Sequence, residues 1–205
     1  LSLEMWLFGY GSLLWYTDFP YRRVVAGVVH GYSRRFWQLS PDHRGTPSNP
    51  GRTVTLVEDK DGSCWGLAYD VAEEHASDTI KYLNEREKAG YLRKEVEFHP
   101  DDGSPSFYVN VYLAALEQNP YYTGPTDDSD VVETIMSARG RSGTNIEYAL
   151  RLAQCVHRLA PHFNDEYLFG IEQKILDNCR QLNVHDDCLA ECVADYSYSD
   201  GVAGE

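Results

Sequence analysis

The chain has 205 residues, 42% hydrophobic and 13% aromatic, enough to bury roughly 70% of its unfolded surface without staples and too apolar for intrinsic disorder. Its 18 Lys and Arg against 32 Asp and Glu leave a net charge of −14, which repels phosphate backbones and acidic lipid surfaces and argues against nucleic-acid and membrane partners. No run approaches the ~20 apolar residues of a membrane span.

In chain order, Trp6-Leu7-Phe8, Val24–Val29, Arg35–Leu39, Thr53–Val57, Cys64–Val71 and Phe107–Leu113 are short β-branched and aromatic runs that read as strands. Asp59-Lys60-Asp61-Gly62 between two of them has the composition of a hairpin turn, and Gly45–Gly51 reads as loop. A helix is expected over Ser77–Lys88, and three more over Ser129–Ala138, Asn145–Leu159 and Asp165–Leu182. Thr144 followed by Glu147 has capping-box spacing, and Asn164 before Asp165 and Glu166 is a similar start. Strands first and helices later give an α+β class. With no internal repeat or linker, residues 5–182 are expected as one domain, followed by a partly flexible tail over 183–205 that frays from about Asp195.

No basic patch leads into an apolar segment near the N-terminus, so a signal peptide is not expected. Five scattered cysteines, Cys64, Cys155, Cys179, Cys188 and Cys192, suit reduced thiols and a cytoplasmic setting better than a disulfide framework. His185 with Cys188, Cys192 and Cys179 lacks the second tight pair of a zinc site, so no metal is expected there.

Two features carry chemistry. Gly9-Tyr10-Gly11-Ser12-Leu13-Leu14 follows the first strand directly; glycines there let successive N–H groups turn into one concavity, a nest for an anion or a developing oxyanion. No Gly-Lys-Ser/Thr ending follows, so it is not a phosphate-binding P-loop, and spacing alone favours a tight turn between strands over an anion nest. The second is Glu87. Helical winding puts Ile80, Leu83 and Glu87 on one stripe and turns Glu85 toward water. A carboxylate on an apolar stripe needs a task or a partner: a general base with a pKa raised by desolvation, or an ion pair with Arg86 or Arg34. Ser12 with His43 does not make a hydrolase site, because the Gly-x-Ser-x-Gly elbow is absent.

Trp6–Leu13, Tyr32–Gln38, Asp42–Pro47, Pro50–Arg52, Trp65–Tyr69, Tyr82-Leu83 with Arg86-Glu87, Gly90-Tyr91, Tyr122–Pro125 and Ser142–Tyr148 form an ordered series of blocks along the chain. Taken together, and in family order, they resemble the ChaC-type, glutathione-specific γ-glutamylcyclotransferases. The resemblance covers the chain from about Trp6 to Ile175; Arg141 departs from the usual Pro, and nothing matches after about Leu182.

The resemblance implies a γ-glutamylcyclotransferase-like fold, a small mixed β-barrel with surrounding helices. It implies cleavage of glutathione to 5-oxoproline and cysteinylglycine without a cofactor. It implies Glu87 as the catalytic proton acceptor, and Leu7, Phe8, Gly9, Tyr10, Gly11, Ser12 and Leu13 as the segment holding the γ-glutamyl group. Arg34, Arg35, Arg44 and Arg52 are candidates to meet a substrate carboxylate or simply to pair with the many acids, and Tyr91 and Tyr148 are candidates to border the site. Action on other γ-glutamyl amines or dipeptides, or γ-glutamyl binding without catalysis, are the alternatives.

Overall fold

The first expected strand forms as β1 (Met5–Gly9). Trp6 and Phe8 enter the main core while Leu7, between them, enters a second apolar cluster, as the two-residue period of a strand requires. The computed structural model describes residues 5–88 and 90–184, apart from the side chains of Glu73, Tyr82, Asn84, Arg86, Glu87 and Lys88 in the first helix.

The next four expected strands are two. Val24–Val29 and Arg35–Leu39 both belong to β2 (Tyr21–Ser40), and Thr53–Val57 and Cys64–Val71 both belong to β3 (Gly51–Val71). These long strands pair antiparallel from Ser40 opposite Gly51 to Tyr21 opposite Val71, with register shifts on the way. The chain therefore reverses at 41–50, and Asp59-Lys60-Asp61-Gly62 is not a hairpin turn. It is an irregularity inside β3, between Glu58 opposite Tyr32 and Ser63 opposite His30, and the ladder resumes on the same partner beyond it. Its turn-like composition serves this excursion: the Ser33 hydroxyl donates to the Asp59 carboxylate at 2.6 Å, and a Cβ on Gly62 would lie 2.5 Å from that hydroxyl.

A strand absent from the expectation follows α1 (Glu73–Lys88): β4 (Tyr91–Pro100). Only Val96 and Phe98 are buried along it, and Leu92, Arg93, Glu95 and Glu97 are exposed, so its apolar signal is thin. Backbone pairing to β2 and to β5 (Phe107–Ala114) holds it. The five strands close a barrel in the order β1-β3-β2-β4-β5, and the parallel contact of Leu7 with Asn110 completes the ring. A closed ring leaves no strand edge open.

The remaining elements are α2 (Asp128–Ser137), the paired two-residue strands β6 (Arg139–Gly140) and β7 (Gly143–Thr144), α3 (Asn145–Leu159) and α4 (Glu166–Leu182). α1 begins four residues before the expected Ser77. The Thr144 hydroxyl caps α3 by accepting from the Glu147 amide, as its spacing foretold. For α4 the cap is Asp165, accepting from the Leu168 amide, and not Asn164.

Barrel residues Phe8, Phe36, Leu56, Trp65 and Phe98 share one core with Val131 and Ile135 of α2, Leu150 and Val156 of α3, and Ile171 and Ile175 of α4. The second cluster, Leu7, Phe19, Tyr69, Val71, Leu83 and Tyr112, lies under α1. The α+β class and the mixed barrel with helices around it are therefore as expected. Among the described residues no helix is long and apolar enough to cross a membrane. His185, Cys188 and Cys192 lie outside the described residues.

Candidate active site

Where β1 ends, the chain turns through Tyr10 and Gly11 into a single 3-10 turn, Ser12–Leu14. The Leu14 amide donates to the Gly11 carbonyl at 2.9 Å, and the Tyr16 amide to the Ser12 carbonyl at 2.9 Å. Neither Gly9 nor Gly11 has a positive φ, so the expected reason for these glycines is corrected: they are needed for space. A Cβ on Gly9 would sit 2.7 Å from the Leu13 Cβ and 3.2 Å from the Tyr69 ring, because the turn folds back on the strand. A Cβ on Gly11 would sit 3.1 Å from Val54 and 3.2 Å from the Tyr148 hydroxyl. Gly9→Ala is expected to displace the turn, with about 1–3 kcal/mol of stability lost to overpacking and a lower kcat/KM; urea denaturation alongside initial rates checks both.

Phenols pin this turn. The Tyr10 hydroxyl donates to the Tyr112 carbonyl on β5 at 2.5 Å, and the Tyr69 hydroxyl on β3 donates to the Leu13 carbonyl. The Tyr148 hydroxyl, brought by α3, accepts from the Val54 amide at 3.2 Å. Burial pushes the Tyr10, Tyr69 and Tyr148 hydroxyls above the ordinary phenol range, and the nearby Tyr91 adds to this at Tyr10 and Tyr148. All three are neutral at physiological pH, Tyr10 and Tyr69 acting as donors and Tyr148 as an acceptor. Tyr91 and Tyr148, suspected from sequence of bordering the site, are thus beside the Tyr10 turn. Tyr69, Tyr112 and Thr55 were not anticipated, since a strand residue shows its neighbours only after the strands are paired.

The end of α1 approaches the same place. Leu83 is buried in the cluster that holds Leu7 and Tyr112, and Glu85 is exposed, as the helical stripe required. Glu87 is one turn beyond Leu83 in the helix, and its side chain lies outside the described residues. After the helix, Gly90 takes a φ of +90°, a conformation that favours glycine. The Gly90 carbonyl accepts from the Ala115 amide at 2.8 Å, and Tyr91 opens β4 opposite Ala114. The Ala114 amide in turn donates to the Thr55 hydroxyl at 2.8 Å. One short stretch, Tyr112 to Ala115, therefore holds the Tyr10 turn on one side and the α1–β4 corner on the other.

The four arginines are absorbed by the scaffold. Arg34, 2% exposed, faces the Asp165 carboxylate at 3.1 Å and donates to the Trp65 carbonyl at 2.5 Å and the Cys64 sulfur at 3.2 Å. Arg35 donates to the Arg34 carbonyl and lies over the Tyr167 ring, 4.5 Å from its centroid. Arg44 meets Glu147 at 2.9 Å, and Arg52 donates to the Phe36 carbonyl at 3.0 Å and the Thr123 hydroxyl at 3.2 Å. Arg34 therefore has a partner other than Glu87. His43 is bonded to Ser142 and Arg141, with Arg141 also on Asp42 at 3.1 Å, so the departure at Arg141 fastens the late loop to the 42–43 turn. Two clefts, about 560 Å³ between α2 and α4 and about 510 Å³ beside Arg34 and Tyr167, are lined by other residues than the Gly9–Leu13 turn. Glycines and buried phenols converge instead at the turn and the end of α1.

Known proteins share this chain's sequence pattern and fold. A family profile described as ChaC-like protein matches residues 5–178. A rat protein named glutathione-specific γ-glutamylcyclotransferase 1 is 46% identical over 169 residues, spanning 82% of this chain and 76% of its own. A fission-yeast protein named glutathione-specific γ-glutamylcyclotransferase is 31% identical, spanning 84% of this chain and 92% of its own. A crystal structure of a yeast γ-glutamylcyclotransferase specific to glutathione matches with a TM-score of 0.77 at 29% identity, over 84% of this chain and 96% of that one.

Proposed function

The chain belongs to the ChaC-like protein family, and on that premise we propose that it is a glutathione-specific γ-glutamylcyclotransferase. The observation that supports this best is the convergence of the Gly9–Leu13 turn and the Glu87 end of α1 on one stretch of β5. The catalytic unit is residues 5–182, residues 183–205 are its tail, and the setting is cytoplasmic, where glutathione is abundant and thiols stay reduced.

In this reading the α-amine of the γ-glutamyl group attacks its own γ-amide carbonyl. A C–N bond closes the five-membered ring of 5-oxoproline, the old amide C–N bond breaks, and cysteinylglycine leaves as an amine. The obstacle is protonation, because an α-ammonium is no nucleophile and α-amines titrate near ~8. Glu87 takes that proton and returns it to the departing nitrogen, and the second proton, shed as the attacking nitrogen becomes the lactam N–H, also ends on the released amine, which leaves as an ammonium, so one carboxylate serves both halves. The nucleophile belongs to the substrate, so no covalent enzyme intermediate and no cofactor are required. The segment Leu7, Phe8, Gly9, Tyr10, Gly11, Ser12 and Leu13 holds the γ-glutamyl group, and its amides meet the oxyanion; one such donor is typically worth ~3–4 kcal/mol.

Purified protein is expected to release 5-oxoproline from glutathione, to spare γ-glutamylalanine, and to keep its rate in excess EDTA. Consumption of γ-glutamylalanine at a comparable rate would make it a general γ-glutamyl cyclotransferase. No product from any γ-glutamyl compound would make it a binding protein.

A further inference from the structure

The corner between α1 and β4 is held by a side chain that the reaction above does not use. Asn119, 8% exposed, lies in the segment between β5 and α2. Its Nδ2 donates to the Gly90 carbonyl at 3.0 Å, the Ala115 carbonyl at 3.2 Å and the Gln38 amide oxygen at 3.1 Å. Its Oδ1 accepts from the Tyr121 amide at 3.0 Å. Two carbonyls on one end and an N–H on the other leave a single sensible orientation of the amide.

The fit at Gly90 is close. A Cβ there would lie 2.6 Å from the Asn119 side chain, so a residue with φ of +90° and no Cβ is matched to one amide packed against it. The Gly90 carbonyl thereby receives two donors, the Ala115 amide and Asn119. Gly90 stands three positions after Glu87, and Ala115 stands three after Tyr112, whose carbonyl anchors the Tyr10 hydroxyl. Asn119 also ties this corner to β2 through Gln38, itself 2% exposed.

We propose that Asn119 is a positioning residue for the cyclisation, fixing the corner at Gly90 so that Glu87 is presented to the γ-glutamyl group held by the Gly9–Leu13 turn. This rests on the proposed activity and on Glu87 as its base. A general base misplaced by an ångström loses much of its effect on the chemical step, whereas binding depends on the turn.

The test is Asn119→Ala beside Asn119→Asp, with kcat and KM for glutathione, the pH profile of kcat, and thermal melting. Asn119→Asp keeps the acceptor for Tyr121 but sets an oxygen against three oxygens. Both variants are expected to lose kcat ten-fold or more, to keep KM within three-fold, and to move the acid limb of the profile. A folded variant with kcat within two-fold of the parent would overturn the proposal. So would a fall in kcat matched by a rise in KM with an unmoved pH profile. Failure of both variants to fold would make Asn119 a residue of the fold alone and overturn it equally. An inactive parent protein would instead strike at the proposed activity, so the two failures are distinguishable.

Discussion

Glu87→Gln is expected to lower kcat on glutathione by about 10²–10⁴-fold, the range for losing a general acid–base group, while fold and glutathione affinity are kept. The amide has the shape of the carboxylate but cannot take the proton from the substrate ammonium. Leu83, one turn earlier, carries the packing of this part of α1 through its place beside Leu7 and Tyr112, so the substitution leaves that cluster intact. The competing reading, a structural ion pair, predicts a different pattern: lower melting temperature with turnover retained. Arg34 is already engaged by Asp165 and Trp65, which leaves Arg86 as the arginine named from sequence for that role. Single-turnover rates with calorimetric binding and thermal melting separate the two; turnover retained by Glu87→Gln removes this residue from the mechanism.

The largest expected effect on stability is at Arg34. Its side chain is 1% exposed and that of Asp165 10%, so the pair is effectively out of water. Burial works against the guanidinium charge, and the neighbouring Cys64 sulfur and Asp165 carboxylate outweigh it. Burial pushes the Cys64 thiol up to about 11, so Cys64 serves as a neutral acceptor here. Arg34→Met is expected to destabilise the protein by about 3–5 kcal/mol, because it strands a buried carboxylate. That is a large share of the 5–15 kcal/mol that holds a typical domain together. Asp165 also caps α4, and Asn caps almost as well as Asp, so Asp165→Asn removes the charge without removing the cap. The double variant Arg34→Met/Asp165→Asn is expected to recover about 1–3 kcal/mol of the loss. Urea denaturation of the two single variants and the double measures this; a double variant no more stable than Arg34→Met would show that the pair is not coupled.

The chain's composition and local patterns were enough for several features. Strong local signals suffice for the apolar strand at Trp6-Leu7-Phe8, the Thr144 cap of α3, the exposed Glu85 and the class α+β. These follow from neighbours within a few positions, which is the range over which helix and strand periodicity act. Motif order along the chain carried the family expectation, since ordered blocks are far more specific than any single Tyr-Gly-Ser-Leu.

What required the tertiary structure was anything settled by pairing. Asp59-Lys60-Asp61-Gly62 has turn composition, yet β2 and β3 remain partners on both sides of it, so it is an excursion and not a reversal. β4 shows little hydrophobicity because its stability comes from backbone bonds to β2 and β5. Gly9 and Gly11 look in sequence like conformational devices, but the space they leave is taken by Leu13 of the turn itself, Val54 and Tyr69 of β3, and Tyr148 of α3. The arginines near residues 34 to 52 were open to a substrate role until Asp165, Glu147, Phe36 and Thr123 were seen to occupy them. Residue types and local periodicity are properties of the chain, and they single out the turn and the helix to which the proposed chemistry is assigned. Long-range hydrogen bonding and packing belong to the closed barrel, and only they brought Tyr112, Ala115 and Asn119 between the two.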